Sequence, residues 1–497
     1  MERGNENLRE QFLANGDRGG HASLDSDLSS SPGRRNTPKY DTRKHFSPLF
    51  PRPSPPMRAA SHEKKSPPSS WRLPVALMAA DEAGRDDDDD DEDGASNLAT
   101  AFNIFSNYVG MVLLSQAYCF RLSGWLALPL LLALTAFGGY TGALIVESYK
   151  TIAARGETVP SYAQIGFHAI GPPGKWLVIV SSIVETFFAI LNMNIIIWQN
   201  AALLLPSVDL QWLVAGCVAL SFPVNWLRDF EELACLSAFG FAACLCICAV
   251  VVFQVATVGP DLAPPDREVA IVGGAPMAAS IMLAGLTGHV GIPPMYCSMR
   301  TPDAFHPTLA AAFAAIFAVY ALVGVCGYLL YGGGASVLIT SDMGGATTGW
   351  ASTLLVGLVT AAITFKLFTS VPMCVQVLVD VCENMWLERH KAPLSAAASQ
   401  RVRLGWWLAS ILASFGFYSS LKYLTAFVGL NSLLISVLLP IFFYLRLHRR
   451  LSGARAAALY ALLALSVVLS VVIGYLDIAQ YIASLSGEVD ADGEPLR

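Results

Sequence analysis

Charged residues are scarce in this sequence of 497 residues: Asp, Glu, Lys and Arg together make up 14% of it, whereas 54% of the residues are hydrophobic. A soluble protein usually carries about a quarter charged residues, so the deficit argues against an ordinary soluble domain. Apolar runs of twenty or more residues recur from about residue 98 onward, and each is long enough to cross a hydrocarbon core of about 30 Å. The short alternating segments typical of a transmembrane barrel are not seen. The sequence therefore predicts an all-α, polytopic membrane protein.

Familiar catalytic and metal-binding motifs are also missing. No nucleophile motif, metal triad or phosphate-binding loop stands out, so we expect neither an enzyme nor a protein with a cofactor, a metal or a nucleic-acid partner. The ten cysteines lie in or beside apolar runs and do not form an extracellular disulfide framework. The densest group is "CLCIC", Cys244 to Cys248. On a helix these cysteines point to different faces, and we interpret them as small packing residues.

The chain divides into three parts by composition. Residues 1–97 are rich in Ser, Pro, Arg and Asp and include the acidic run "DDDDDDED" at Asp86–Asp93. Such a segment buries too little surface to offset its ordering entropy, so we expect a disordered cytosolic tail that is available to cytosolic partners. Residues 98–483 form the predicted transmembrane domain, and residues 484–497 form a short tail on the non-cytosolic side.

About eleven spans are predicted in the transmembrane part. The run at 350–386 is too long for one perpendicular helix, so it should tilt or extend into the cytosol. The predicted spans lie near residues 98–120, 125–149, 175–204, 210–226, 233–258, 273–298, 306–332, 350–386, 402–418, 423–448 and 455–483.

Lys and Arg are distributed unevenly between the loops. If the N-terminus is cytosolic, only Arg121, Arg267 and Lys422 fall in the non-cytosolic loops. Cytosolic loops of membrane proteins carry the excess of basic residues, so the imbalance predicts a cytosolic N-terminus. The cytosolic loops then hold Lys150, Arg155, Lys175, Arg228, Arg300, Arg389, Lys391, Arg401, Arg403, Arg446, Arg449, Arg450 and Arg455.

Two spans carry residues that interrupt a helix. Span six contains "GHVGIPPMYCSMR", Gly288–Arg300, and span one contains "NIFSNYVGMVLLSQAY", Asn103–Tyr118. A broken helix in a membrane must line protein or a cavity, because lipid cannot hydrogen-bond the freed backbone groups. Paired interruptions in two halves of a chain point to a midplane transporter site; two kinked structural helices are the alternative. The substrate-binding candidates are Asn103, Ser106, Asn107, Gly110, Met111, Gly285, Thr287, Gly288 and His289.

Glu185, His289, Lys366 and Asp477 are ionisable residues well inside predicted spans, where such residues are functional candidates by default. Glu185 can carry a proton; the alternative is a hydrogen bond to Asn192 or Asn194. His289 can sense protons or, as a neutral side chain, steady the broken backbone. Lys366 can take the place of a bound metal cation, or it can snorkel to an interface. We interpret Asp477, outside the two repeats, as a structural partner; Arg121 and Lys422 we place at outer mouths, facing headgroups.

Several short patches, taken in order and spacing, resemble the amino acid/auxin permease family, and within it the vesicular and vacuolar transporters. The resemblance covers about residues 98–483. The patches are "GMVLLSQAYCFRLSGWLAL" (Gly110–Leu128), "YTG" (Tyr140–Gly142), "WLRD" (Trp226–Asp229), "LTGHVGIPPMYCSMRTPDAFHPTL" in span six, "GYLLYG" (Gly327–Gly332), "KLFTSVP" (Lys366–Pro372) and "LLPIFFYLRL" (Leu438–Leu447).

The resemblance implies an inverted-repeat amino acid transporter fold, with five plus five helices and one more, and with helices one and six broken. It also implies secondary active transport of small neutral amino acids by alternating access. Proton coupling across a vacuolar or other acidic endomembrane is implied, and sodium is less expected. Two residues depart from the family pattern: Ala117 stands where a proline is usual, and Val112 stands where vacuolar relatives have glycine. Both departures bear on the shape of the pocket.

Two other functions stay open on the sequence alone. One is an amino acid sensor that signals through its N-terminal tail, and the other is a sodium-coupled amino acid transporter of the plasma membrane. Solute counterflow in liposomes separates a carrier from a sensor, and a sodium gradient separates the two kinds of carrier. The choice between symport and exchange, and the identity of the amino acid, are not encoded in any motif that we recognise.

Overall fold

Helices are the main secondary structure of the protein. A computed structural model describes residues 95–156, 161–225, 230–257, 267–345, 350–448 and 451–486. Within these ranges the only extended pairing is a parallel bridge between Ala95 and Met299. The all-α prediction is therefore confirmed.

The helices follow the eleven predicted spans, with bounds shifted by a few residues. Seven helical stretches among the described residues are long and apolar enough to cross a membrane, and two more are shorter apolar helices. In chain order the spans are one (Asn97–Tyr108, Met111–Ser115, Gln116–Ser123), two (Ala127–Ala153), three (Pro172–Leu204), four (Leu210–Val224), five (Phe230–Thr257), six (Ala275–Ala284, His289–Gly291, Ile292–Cys297), seven (Phe305–Tyr331), eight (Trp350–His390), nine (Ala396–Gly416), ten (Leu421–Ser432, Leu433–Leu438, Leu439–Leu447) and eleven (Gly453–Ser486).

Some predictions concern residues that the structure does not describe, and they stay predictions. These are nearly all of the 1–97 tail, the "WLRD" patch, Arg449 and Arg450, and the tail from residue 487 onward.

Two short helices lie outside the predicted spans. Tyr162–Ile170 precedes span three, and Ile339–Gly345 lies between spans seven and eight. Their nine and seven residues are fewer than a span needs, so a criterion based on apolar length cannot find them. Ile339 and Met343 are fully buried, which shows that the second helix packs into the body of the protein.

Span ten is not a regular helix, although its sequence predicts one. Leu433–Leu438 forms a π-helical segment between two α-helices. Pro440 is the second residue after it and has no backbone N–H to donate to the carbonyl of Ser436. Bulges of this kind often mark functional positions. Glu185 of span three contacts the start of this segment, as described below.

Spans six and ten approach each other closely at one glycine. A Cβ atom built on Gly429 would lie 1.6 Å from the carbonyl oxygen of Ser280, so no larger residue fits between the two backbones. Small residues permit such contacts between membrane helices. The first half of span six is thereby pressed against span ten. It also contacts span eleven, where Ser280 Oγ donates a hydrogen bond to Asp477.

The prediction that the "CLCIC" cysteines point to different faces holds for Cys246 alone, because Cys244 and Cys248 are one turn apart and share a face of span five. Cys244 and Cys248 are buried, whereas Cys246 is exposed. Cys244 packs near Lys366, with its Sγ atom 3.5 Å from the ammonium nitrogen.

Candidate functional site

Span one is interrupted in its middle. Its first helix ends at Tyr108, and Val109 closes that helix by donating its N–H to Phe105. Gly110 then adopts φ −147° and ψ −133°, and the chain continues as a 3₁₀-helix from Met111. The first N–H groups of a new helix have no partner within it. The Gly110 amide meets the Tyr320 hydroxyl, whereas the amides of Met111 and Val112 make no backbone hydrogen bond outside their own helix among the described residues.

Span six is interrupted at the corresponding level. Its first helix ends in a turn in which Gly285 and Leu286 donate to Met282 and Leu283. Gly288 then has φ +148°, a left-handed conformation that residues with a Cβ atom rarely adopt. The second half starts at Ile292, so Pro293 and Pro294 stand in its first turn, where a backbone N–H has no partner to lose. The sequence predicted both breaks, and the structure confirms them.

The two breaks face each other. Asn107 of span one donates from Nδ2 to the carbonyl oxygen of Gly288 at 3.2 Å. A Cβ atom on Gly288 would lie 2.4 Å from that same amide nitrogen, so glycine is required here by both space and torsion angle. The predicted pairing of the two interrupted helices is therefore a direct contact.

A tyrosine that the sequence did not single out joins the breaks from behind. Tyr320 of span seven is fully buried. Its hydroxyl lies 2.8 Å from the Tyr108 carbonyl and 3.2 Å from the Gly285 carbonyl. These are the last residue of one half-helix and the residue that follows the other, so one donor serves the ends of both. A tyrosine in an apolar helix gives no periodic signal, which is why sequence reasoning missed it.

His289 braces spans one, two and six. Its Nε2 atom lies 3.0 Å from the Gly138 carbonyl and 3.1 Å from Thr141 Oγ1, and its Nδ1 atom lies 3.1 Å from the Tyr108 hydroxyl. A carbonyl only accepts, so Nε2 carries the proton and Nδ1 accepts from Tyr108. A neutral imidazole therefore satisfies all three contacts.

Lys366 of span eight reaches the break in span one. Its Nζ atom donates to the Val109 carbonyl at 3.1 Å. That carbonyl lies in the interruption, where it lacks a helical partner. The ammonium is therefore inside the protein and bound to backbone, which contradicts the alternative of a lysine that snorkels to an interface.

Glu185 lies between spans three and ten. Its Oε1 atom accepts a hydrogen bond of 3.2 Å from Ser432, the residue before the π-helical segment. The sequence suggested Asn192 or Asn194 as its partner, and this was wrong. Asn192 accepts from Thr425, and Asn194 donates to Ser410 and Ser414. Because all three residues lie on one long helix, their spacing could not show which neighbouring span each would meet.

The remaining substrate-binding candidates fall into two groups. Asn103, Ser106, Gly110 and Thr287 are half-exposed around the breaks, and a Cβ atom on Gly110 would meet nothing within 4 Å. Met111 and Gly285 are instead packing positions. Met111 is buried, and a Cβ atom on Gly285 would lie 3.0 Å from Val112 Cγ1.

The departures Val112 and Ala117 lie on the packed side of span one. Val112 fills the space against Gly285 behind the breaks. Ala117 meets span seven, since a Cβ atom on Gly327 would lie 2.5 Å from its own Cβ atom. The Val112 side chain therefore narrows the space between spans one and six. Ala117 instead lies in the contact between spans one and seven.

Exposure along span one shows from which side the site is reached. We call the side where span one begins the near side and the opposite side the far side. Before the break, Asn103 is half-exposed and Asn107 is exposed, one turn apart on the same helix face. After the break, every residue from 111 to 120 is buried. The breaks are therefore open toward the near side and covered on the far side.

The helix Ile339–Gly345 contributes to the cover on the far side. Thr340 donates to Asn200 of span three at 2.9 Å, and Gln254 of span five donates to the Met343 carbonyl. Asp342 accepts from the amide and hydroxyl of Ser336. Burial raises the pKa of the Asp342 carboxyl, and the hydrogen bonds from Ser336 oppose that rise.

Arg121 and Lys422 do not simply face headgroups, as the sequence suggested. Arg121 donates to the Ala335 carbonyl at 3.2 Å, just before the covering helix. The Lys422 side chain is buried, and its Nζ atom lies 5.0 Å from the centre of the Tyr423 ring. Both predictions were wrong because a loop and a helix face cover these positions.

Solved structures of transporters share this architecture. The protein Mhp1, in an inward-facing conformation, aligns with a TM-score of 0.52 at 13% identity and covers 78% of this chain and 89% of its own. MhsT in complex with L-phenylalanine aligns with a TM-score of 0.50 at 13% identity and covers 78% of this chain and all of its own. At these identities the likeness shows the fold alone. The predicted inverted-repeat transporter fold is confirmed.

Curated relatives are plant amino acid transporters. Amino acid transporter AVT1H of Arabidopsis thaliana is 25% identical over 258 residues, which is 50% of this chain and 59% of the relative. AVT1D of the same plant is 27% identical over 247 residues, 47% of this chain and 44% of the relative, so the chain spans about half the length of these two. AVT1I is 24% identical over 424 residues, covering 82% of this chain and 100% of the relative.

A single family model matches nearly the whole helical region. The model described as transmembrane amino acid transporter protein matches residues 93–483. The matched region contains both breaks, spans one to ten, span eleven except its last three residues, and every candidate residue named above. This multi-pass membrane chain belongs to the transmembrane amino acid transporter family.

Proposed function

We propose that the protein is a secondary active transporter that moves small neutral amino acids across a membrane by alternating access. The observation that carries the proposal is the direct pairing of the two breaks through Asn107 and Tyr320. Paired breaks near the midplane of an inverted-repeat fold are typical of substrate sites. The names of the curated relatives support amino acids as the substrate class.

Backbone groups at the breaks suit the two charged ends of an amino acid. The amides of Met111 and Val112 open a helix and can bind the substrate carboxylate, which the positive end of a helix favours. The carbonyls of Tyr108 and Val109 are already engaged by Tyr320 and Lys366. The substrate ammonium is therefore left to the Thr287 carbonyl and the Asn107 side-chain oxygen.

For the energy source we propose a proton gradient. Glu185 is a buried carboxyl with a single hydroxyl partner, and burial favours the protonated form of such a group. Lys366 supplies a fixed positive charge at the break, where a sodium-coupled carrier would bind its ion. His289 is assigned to bracing, because its neutral form already satisfies its three contacts.

The location that we propose is a vacuolar or other acidic endomembrane, with the near side in the cytosol. The excess of Lys and Arg in the near-side loops supports that orientation. The resemblance to the vacuolar branch of the family supports an acidic organelle as the location. Because the site opens toward the near side, the structure then corresponds to a cytosol-facing state.

Transport by the purified protein tests the function. We expect protein in liposomes to accumulate one or more neutral amino acids from a panel when a pH gradient is imposed, and a sodium gradient to add nothing. The matched variant Glu185→Gln keeps the size and hydrogen-bonding capacity of the side chain but cannot titrate. It should retain counterflow of labelled amino acid and lose accumulation driven by the pH gradient.

Other outcomes of the same experiment contradict the proposal. Binding of an amino acid without counterflow would identify a sensor. The next experiment would then search for cytosolic partners of the N-terminal tail. Accumulation driven by sodium and indifferent to pH would identify a sodium-coupled carrier. Wild-type accumulation by Glu185→Gln would remove Glu185 from the coupling mechanism.

The shared donor at the two breaks gives a further prediction. Tyr320→Phe leaves the ring in place but leaves the Tyr108 and Gly285 carbonyls without that donor. A buried polar group without its partner costs about 1–3 kcal/mol, so we expect the dissociation constant for the amino acid to rise roughly tenfold. Binding of labelled substrate to purified protein measures it.

Tyr331→Phe is the matched control for this prediction. Tyr331 also lies on span seven, and its hydroxyl donates to Gln254 rather than to the breaks. We expect its dissociation constant to stay within about twofold of wild type, the scatter expected when no site contact changes. Equal effects of the two variants would show that Tyr320 acts only through general packing.

A further inference from the structure

Span eleven contains a carboxyl that the proposed mechanism does not use. Asp477 is only 8% exposed, although it lies on the last helix, outside the two repeats. Its Oδ2 atom accepts a hydrogen bond of 2.5 Å from Ser280 Oγ. Its Oδ1 atom is buried and makes no hydrogen bond with any residue in the described ranges. A carboxylate in an apolar interior needs more than one hydroxyl to replace its water.

No positive charge compensates this carboxyl in the part of the chain that the structure describes. The first half of span six, Ala275–Ala284, has no ionisable residue. The cation that the facing half of span ten carries is Lys422, whose ammonium lies over the Tyr423 ring. Among the described residues, the Asp477 carboxyl is buried and has Ser280 as its one hydrogen-bond partner.

The neighbours on span eleven itself do not compensate it either. Tyr475 is exposed, and Tyr481 packs against the ring of Tyr423 with 5.2 Å between ring centres. Both are phenols, which are neutral below a pH of about 10. Burial with a single hydroxyl partner therefore favours the neutral acid of Asp477 in this conformation.

Ser280 belongs to a segment whose position sets the state of the transporter. It lies in the first half of span six, on the covered far side of the breaks, where its backbone is pressed against Gly429. Opening the far side requires this half-helix to move away from spans ten and eleven. That movement breaks the Ser280 contact and admits water to Asp477, which can then ionise.

We propose that Asp477 is a proton-binding site, separate from Glu185, that holds the far side closed when it is protonated. A proton from the far-side solution neutralises the carboxyl, and the neutral acid then packs against Ser280. Loss of the proton favours the state in which Asp477 is hydrated and the far side is open. This inference rests on the proposed alternating-access function, because it assigns a direction to the same conformational change.

The sign of the pH effect follows from linkage. A carboxyl that is neutral in the closed state and ionised in the hydrated state binds its proton more tightly when closed. Lowering the pH therefore stabilises the closed, compact state, and raising it removes that stabilisation. A carboxyl that a partner held in the ionised form would instead make the closed state more stable as the pH rises.

Thermal unfolding of the purified full-length protein in detergent, followed from pH 5.5 to pH 8, tests the proposal without any transport assay. We expect the melting temperature of wild type to fall by about 3 °C or more over this range, a shift that corresponds to about 1 kcal/mol for a domain of a few hundred residues. Asp477→Asn keeps the shape and a hydrogen bond to Ser280 but cannot ionise, so its melting temperature should fall by less than half as much. Glu185→Gln, measured in parallel, shows how much of the change in melting temperature comes from the other buried carboxyl.

Ser280→Ala gives a second variant that keeps the carboxyl. Without the Ser280 hydroxyl, ionisation of Asp477 destabilises the folded protein more. The melting temperature should therefore fall with rising pH at least as steeply as in wild type. Equal slopes for wild type and Asp477→Asn overturn the proposal, and so does a wild-type melting temperature that rises with pH. Because neither result depends on uptake, a failure here is distinguishable from a failure of the transport function.

Discussion

Replacing Lys366 with alanine will lower amino acid uptake by at least about tenfold. The ammonium is the donor to the Val109 carbonyl at the break in span one. Hydrogen bonds to charged groups contribute about 1.5–3 kcal/mol, and each 1.36 kcal/mol changes a rate about tenfold. The same substitution leaves space beside a backbone carbonyl. We therefore expect sodium, added at a concentration of about 0.1 M, to restore part of the uptake by the variant.

The control for this prediction is Lys391→Ala, which removes an exposed lysine just beyond span eight. Its uptake should match wild type with and without sodium. The idea that Lys366 replaces a cation fails if the alanine variant transports normally. It fails equally if sodium stimulates the wild-type protein while Lys366 is intact.

Replacing Gly429 with alanine will abolish the native packing of spans six and ten. The added Cβ atom would lie 1.6 Å from the Ser280 carbonyl oxygen, whereas carbon atoms in contact normally stay about 3.5–4 Å apart. The two backbones must therefore separate by about 2 Å along a close-packed seam. We expect little or no monodisperse protein in detergent, and a melting temperature lower by roughly 10 °C for any that is recovered.

Gly405→Ala is the matched control, because Gly405 also lies inside a helix and a Cβ atom there would meet nothing within 4 Å. Alanine is the better helix former by about 1 kcal/mol. Yield and melting temperature of this variant should be unchanged or slightly raised. A Gly429→Ala protein that behaves like Gly405→Ala would show that spans six and ten do not approach as closely as described.

The spans could be predicted because each consists of one continuous apolar run, and a membrane of fixed thickness leaves little freedom in helix length. The two breaks could be predicted because glycine, proline and asparagine interrupt those runs in a way that lipid does not tolerate. Both signals are local in sequence. Neither depends on knowing which helices are neighbours.

The contacts across helices could not be predicted in the same way. Glu185, Asn192 and Asn194 lie within ten residues on span three, yet they meet spans ten, ten and nine, respectively. Which neighbour each one meets depends on helix rotation and crossing, which one sequence does not reveal. Tyr320 was missed for a related reason, since its role depends on two carbonyls from distant parts of the chain. The irregular segment of span ten carried a usable signal in Pro440, which the length of the apolar run obscured.

The ends of the two broken spans have a consequence for how the protein moves. On the near side Ala95 exchanges backbone hydrogen bonds with Ser298 and Arg300, and on the far side Ile271 donates to the Ser123 carbonyl. Spans one and six therefore form a closed frame with a main-chain clasp at each end, and they must tilt as one rigid lever. The far clasp also fixes two residue types: a Cβ atom on Gly124 would lie 2.5 Å from the Glu268 carbonyl oxygen, and a Cβ atom on Gly274 would clash with the Leu122 carbonyl, so both positions must stay glycine if the two spans are to move together.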